Sequence, residues 1–235
     1  MKVIFVHGIG ATGLVWDKTQ EIVGQHYKCS AITFKDRFGS PDQQVEELKE
    51  FLEQYKKEDL ALVCHSLGGL VTRKYLTLYP HDIRIKKILF LGVPNQGIFG
   101  LIFNWIPLAI EIIVSLIALA AENYSLLWLV LLAAGYDFFS YLRGVKLISP
   151  AASALKPHSK FLKDLNSRNL PAHIQYTVLL SRPWYHLQGD GAVSIESQKL
   201  NCVPNFKDLN YKETPITVPH FKEPRAAEAI LAALR

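Results

Sequence analysis

Cysteine is scarce in this chain. Its 235 residues hold three, Cys29, Cys64 and Cys202, too few and too scattered for a disulfide framework or a zinc site. No stretch of Lys and Arg is dense enough to mark a nucleic-acid surface, although the net charge is +5. The opening MKVIFVHGIG lacks the length and the small-residue cleavage site of a signal peptide, and reads as a strand entering a turn. Internal repeats and low-complexity linkers are missing as well. With 49% hydrophobic and 20% charged residues, disordered and fibrous classes are out. What is left is one domain with a sizeable core, or at most two small ones, in a reduced cytoplasmic setting.

The apolar residues are unevenly spread. Between Ile98 and Leu142, 34 of 45 residues are apolar, and only Glu111, Glu122 and Asp137 are charged. The rest of the chain carries 26 basic and 18 acidic groups, a net of +8. An ordinary basic domain is thus interrupted by a segment of different character.

Outside that segment, strand and helix patterns alternate. Lys2–His7 is a short β-branched run halted at Gly8, and Ser30–Phe34 is a second strand. Between them Ala11–Gly24 carries a weaker helical pattern. Pro41 opens a helix in which Val45, Leu48, Phe51, Leu52 and Tyr55 recur at spacings of three and four, as far as a single apolar face demands. Leu60–Cys64 is a third strand, running into a helix that lasts to about Tyr79. Lys87–Val93, Gln175–Leu180 and Thr214–Val218 complete a set of six, and Pro224–Leu234 is a closing helix. Helices of this length between buried strands predict an α/β fold, a mostly parallel sheet covered on both faces.

The strongest local signal is Cys64-His65-Ser66-Leu67-Gly68-Gly69. A buried strand enters it and an amphipathic helix leaves it, the setting of a nucleophile elbow. Residues two before and two after the serine must be small because the turn is tight. Gly68 and Gly69 meet that need, and Cys64 stands where glycine is usual. A serine hydroxyl is a weak nucleophile near neutral pH, so it needs a base that is itself oriented by a carboxylate. After such an elbow the acid comes first in the chain and the histidine second. His81, His158, His173, His186 and His220 all follow Ser66. His220 alone lies between the last strand and the last helix, and it is the expected base. Asp190, bracketed by Gly189 and Gly191 after the fifth strand, is the expected acid, with Glu196 as the alternative. The backbone amides of Ile9 and Leu67 are the expected oxyanion donors. His7 is expected to shape its loop rather than to react.

These motifs carry a resemblance. His7-Gly8-Ile9-Gly10, the elbow, Gly92-Val93-Pro94-Asn95-Gln96-Gly97 and Asp190-Gly191-Ala192-Val193, in that order, resemble α/β-hydrolase lipases. They are most similar to small bacterial triacylglycerol lipases and to lipase-like esterases related to inositol deacylases. The resemblance covers 2–97 and 146–234. It implies a compact α/β-hydrolase fold, in the form that lacks the fold's first two strands, and serine esterase chemistry without metal or organic cofactor. It also implies a triad of Ser66, Asp190 and His220 with an oxyanion hole at Ile9 and Leu67. The hydrolase core is then 1–97 with 146–235, and 98–145 is an apolar helical insertion.

That insertion reads as two helices, about 98–121 and 124–142. In the first, Asn104, Glu111, Ser115 and Glu122 return to one narrow polar stripe, within about 20°. Three readings stay open. One is a monotopic lid over an acyl-chain pocket, lying on a membrane. Another is a transmembrane hairpin, since 24 helical residues reach about 36 Å and Lys86, Lys87, Arg143 and Lys146 would keep the body cytoplasmic. The third is an oligomer interface. Pro107 shortens the first helix if it starts there, and Glu111 would cost about 2–3 kcal/mol at mid-membrane, so the lid is preferred. The function expected from sequence is a serine carboxylester hydrolase acting on lipid-like acyl esters at a membrane surface. An acyltransferase or thioesterase on the same triad, and a silent membrane-associated scaffold, are the alternatives.

Overall fold

Six strands form a single, wholly parallel sheet in a computed structural model, which describes residues 1–98, 149–182 and 189–235. The strands are β1 (Lys2–Val6), β2 (Lys28–Ala31), β3 (Leu60–His65), β4 (Ile85–Leu91), β5 (Gln175–Ser181) and β6 (Asn210–Ile216). Their order across the sheet is β2-β1-β3-β4-β5-β6. The chain steps one way from β1 to β2, then returns past β1 to β3, so loops after β1 and β3 diverge at one point. In open parallel sheets a crevice forms there, at the carboxyl ends of the strands.

Side-chain alternation divides the core in two. Ile4, Val6, Leu60, Leu62, Cys64, Ile88 and Phe90 face one layer, packed with α2 (Pro41–Leu52), α3 (Leu67–Leu78) and the helices Pro150–Ala154 and Lys160–Asn166. Val3, Phe5, Ala61, Val63, Leu89 and Leu91 face the other, packed with α1 (Asp17–Val23) and the helix Ala227–Leu234. Every residue of β3 is buried, which is why Leu60–His65 reads as an unbroken apolar run ending in a histidine. Pro41 starts α2 in the first-turn position, and the Ser40 hydroxyl accepts the Asp42 amide.

Four elements depart most from the sequence reading, and the fourth strand is also displaced, to Ile85–Leu91 from the expected 87–93. The second strand is Lys28–Ala31, not 30–34. Ile32 and Phe34 are buried, but on a connection leaving the sheet, where the Phe34 amide donates to His7 Nε2 at 3.2 Å. The last strand runs from Asn210 to Ile216 rather than 214–218. It is a mostly exposed edge, so its polar residues carry no apolar signal. The expected helix at 11–24 is a 3₁₀ turn, Gly13–Trp16, followed by α1. The closing helix is divided likewise: a 3₁₀ segment, His220–Arg225, contains Pro224 and precedes Ala227–Leu234. The insertion expected at 98–145, and the choice among lid, hairpin and interface, lies outside the described residues. Among the described residues no helix is long and apolar enough to cross a membrane.

Candidate active site

Ser66 joins β3 to α3 with φ 52° and ψ −127°, a backbone conformation that costs a non-glycine residue roughly 1–3 kcal/mol. The turn is held because the Ser66 amide donates to the Leu91 carbonyl at 2.9 Å and the first turn of α3 lies against β1. A side chain on Gly68 would come within 2.5 Å of the His7 carbonyl oxygen and 2.8 Å of the Val6 carbonyl oxygen. Only glycine lets α3 approach so closely. Cys64 is accommodated at the entrance because its thiol points into the core, 3.2 Å from the Thr72 hydroxyl. Burial pushes that thiol up to about 12, so it stays protonated and inert.

His220 opens the 3₁₀ segment after β6. Its Nδ1–H donates to Asp190 Oδ2 at 2.8 Å, and its Nε2 accepts from the Ser66 hydroxyl at 3.2 Å. Its backbone amide also donates to the Asp190 carbonyl, at 3.0 Å, so the two residues are tied through main chain and side chain together. Asp190 sits in a turn closed by the Gly189–Ser194 bridge. Its Oδ1 accepts from the amides of Ala192 and Val193 at 2.8 and 2.7 Å. Burial alone would raise this carboxyl, but the His220 bond and charge and the two amides outweigh it, and its titration is lowered. The Asp-Gly-Ala-Val motif is thereby accounted for: it supplies the acid and the two amides that keep it ionised.

The sequence-expected Ser66, Asp190 and His220 are all brought together, and all are buried. Glu196, the alternative acid, is exposed and pairs with Lys199 at 3.0 Å. His81, His158 and His173 lie at the surface, and His186 falls outside the described residues. The amides of Ile9 and Leu67 have no hydrogen-bond acceptor among the described residues. Ile9 and Ser66 line one pocket of about 120 Å³, together with Gly8, Val15, Phe221 and Pro224. His7 holds the loop beside it: Nδ1–H donates to the Gly8 carbonyl at 2.7 Å while Nε2 takes the Phe34 amide. Burial lowers its basicity, so it stays neutral.

The Gly92–Gly97 motif works at one remove. Asn95 Oδ1 accepts from Arg73 at 2.8 Å, and its amide group donates to the Gln198 and Lys199 carbonyls, both at 3.0 Å. Gln198 in turn bonds Ser181 at the end of β5 and the Val193 carbonyl in the Asp190 turn. The loop after β4 therefore braces the loop that carries the acid.

Two residues given no role by the sequence reading complete the site. His65 is buried, kept neutral chiefly by that burial, and its Nε2–H donates to the His220 carbonyl at 3.0 Å. Glu223, three residues after His220, has no solvent exposure. A glutamate three positions beyond the base is the only trace of it in the sequence. His65, His220 and Glu223 offer ligand atoms within 4.8 Å of one another. The histidine nitrogens on that side are already engaged with the His220 carbonyl and Asp190, so a metal ion would have to break the Asp190–His220 pair.

A parallel sheet in this order, with a strained serine after β3 and a histidine and aspartate at the ends of later strands, is the α/β-hydrolase fold, which solved lipases and esterases share. Within it, the chain belongs to the family described as "Domain of unknown function (DUF7379)", which matches residues 2–198. Among solved structures it is similar to a lipase of Bacillus licheniformis in mature form, with TM-score 0.64 and 17% identity over 99% of this chain and 91% of that one. It is also similar to a bromoperoxidase of Bacillus anthracis, with TM-score 0.61 and 19% identity over 99% and 91%. A curated relative, protein phosphatase methylesterase 1 of Candida albicans, is 38% identical over 50 residues. That stretch is 21% of this chain and 14% of the relative.

Proposed function

We propose that this protein is a serine carboxylester hydrolase that acts on lipid-like acyl esters through an acyl-enzyme on Ser66. The observation that carries the reading is the continuous chain Ser66–His220–Asp190, with bonds of 3.2 and 2.8 Å. The hydrolase class also gains support from the similar lipase and methylesterase. The fold by itself does not select the reaction, since a bromoperoxidase shares it.

Ser66 Oγ attacks the ester carbonyl while His220 Nε2 takes the hydroxyl proton. Asp190 holds the ring in the tautomer that leaves Nε2 free and stabilises the imidazolium that forms. The carbonyl oxygen becomes an oxyanion facing the Ile9 and Leu67 amides, the latter also at the positive end of α3. Collapse expels the alcohol, which takes the proton back from Nε2. Water then repeats the sequence in reverse and frees the acid. No step needs a metal or organic cofactor.

The lipid-like substrate rests on apolar surroundings. Phe221, next to the base, is 87% exposed and lines the pocket with Val15 and Ile9. The apolar segment 98–142 follows the loop after β4, and as a monotopic lid it would set the site against a membrane, with the basic body favouring anionic headgroups. The test is hydrolysis of p-nitrophenyl esters of four to sixteen carbons by wild type and Ser66→Ala, with and without anionic vesicles. Turnover should depend on Ser66 and rise with chain length and with vesicles. Activity confined to short chains and indifferent to vesicles would remove the lipid reading. Undiminished activity of Ser66→Ala would remove the triad.

A further inference from the structure

We infer that Glu223 is a positioning residue of this site: a buried carboxylic acid that keeps its proton, donates it to the Asp190 carboxylate, and thereby sets the geometry and basicity of His220. The inference rests on the serine-hydrolase reading above.

Residues three apart superimpose along a 3₁₀ helix, so Glu223 lies directly beyond His220 and returns its carboxyl to the Nδ1 side of the ring. Oε2 is 3.5 Å from His65 Nε2 and 3.9 Å from His220 Nδ1. Gly92, at the end of β4 with φ 52°, marks where the groups converge. A side chain there would meet Glu223 Oε2 at 2.3 Å, His220 Nδ1 at 2.6 Å and Asp190 Oδ2 at 2.8 Å. The missing side chain of Gly92 is the space these three atoms occupy.

An ionised Glu223 is poorly served in that space. Among the described residues neither of its oxygens has a partner at full hydrogen-bond geometry. Two donors around it are already given away, His65 Nε2–H to the His220 carbonyl and His220 Nδ1–H to Asp190; the Ser181 hydroxyl favours the ionised form, but burial and Asp190 outweigh it. The titratable and polar groups that face it are His65 from β3, Ser181 from β5, Asp190 from the turn after β5, and His220 from its own segment. None is a fixed cation, His65 is held neutral by burial, and Asp190 is negative. A second carboxylate here would combine burial with like-charge repulsion, each costing more than a hydrogen bond returns. A single proton removes both penalties, because the acid can then donate to Asp190. Burial first, then the charge and hydrogen bond of Asp190, push Glu223 up to about 10.

The consequence falls on His220. While Glu223 is neutral, one negative charge faces Nδ1 and its direction is fixed by three donors and the acid's own proton. Once Glu223 ionises, two carboxylates compete for Nδ1, the imidazolium is held too firmly to release its proton, and repulsion loosens the Asp190 turn. Turnover should therefore fall on the alkaline side as Glu223 loses its proton.

The experiment compares wild type with Glu223→Leu and Glu223→Gln by infrared spectroscopy, by fluorophosphonate labelling rate and by ester hydrolysis across pH. Wild type should show the C=O band of a protonated carboxylic acid at neutral pH, absent from Glu223→Gln and titrating away in alkali. Glu223→Leu, which has no donor, should lose about 10- to 100-fold in kcat with KM unchanged. Glu223→Gln should recover most of that loss, because its amide can donate to Asp190, and should lack the alkaline fall. The band and the alkaline limb decide the matter even if Glu223→Leu does not fold. A labelled wild type without the band, or a Glu223→Gln that keeps the alkaline fall, overturns the role of Glu223 alone. A wild type that neither labels nor turns over ester overturns the hydrolase reading and this role with it.

Discussion

At the scale of single residues, Ser66 carries backbone tension at the heart of the site. Its φ of 52° and ψ of −127° are comfortable only for glycine. Ser66→Gly should therefore be more stable than Ser66→Ala by about 1 kcal/mol in urea denaturation, with both lacking ester turnover. Equal stabilities would mean that the elbow stores no strain. Ser66, Asp190 and His220 were legible because each stands in a local pattern: a small-residue turn, a glycine-bracketed aspartate, a histidine after the last strand. Glu223 and His65 were not. Their roles depend on burial produced where the ends of β3, β4 and β5 meet, and nothing in His220-Phe221-Lys222-Glu223 distinguishes a buried acid from a solvated one. His7 lies between these cases: its glycine neighbours announced a loop, and its bonds to Gly8 and Phe34 supply the details.

At the scale of elements, the decisive contact is the seating of α3 on the end of β1. Gly68→Ala would drive a methyl group against two backbone carbonyls, which cannot turn aside as a side chain can. A loss of about 1–3 kcal/mol in thermal or urea denaturation is expected, together with reduced fluorophosphonate labelling as the elbow moves away from Ile9. An unchanged labelling rate would show that this seating does not set the oxyanion donors. Central elements were legible in the sequence because burial on both sides leaves an unbroken apolar run, as in Leu60–His65. The edges were not. β6 exposes Asn210, Lys212 and Glu213, and Ile32 and Phe34 are core residues of a loop, so in both places hydropathy and strand geometry part company. The split of each expected terminal helix into a 3₁₀ turn and an α-helix was equally hidden, since both forms place apolar residues three or four apart.

For the whole molecule, stability should carry the mark of the two neighbouring acids in opposite senses. Asp190 titrates below the ordinary range, so the stability it contributes is present above that range and is lost as pH falls through its depressed value. Burial and the neighbouring Asp190 push Glu223 up to about 10, against about 4.3 when unfolded. Folding then takes up a proton over the interval between, and stability declines as pH rises across it. Glu223→Gln should therefore gain in Tm relative to wild type progressively between pH 5 and 9, as scanning calorimetry would record. A constant difference would mean that Glu223 is ionised in the fold. The alternation of strands and helices made the α/β architecture readable from sequence, while the sheet order and the position of the crevice came only with the pairing of β1 between β2 and β3. That arrangement also has a meaning in time. Synthesis proceeds from the amino end, so a growing chain can build β1, β3 and the elbow, with its serine already placed, well before residues 190 and 220 exist. Until both have arrived the hydroxyl is an ordinary alcohol. On the proposed reading of the site, then, no activated serine exists on the ribosome until residue 220 has been made and folded into place.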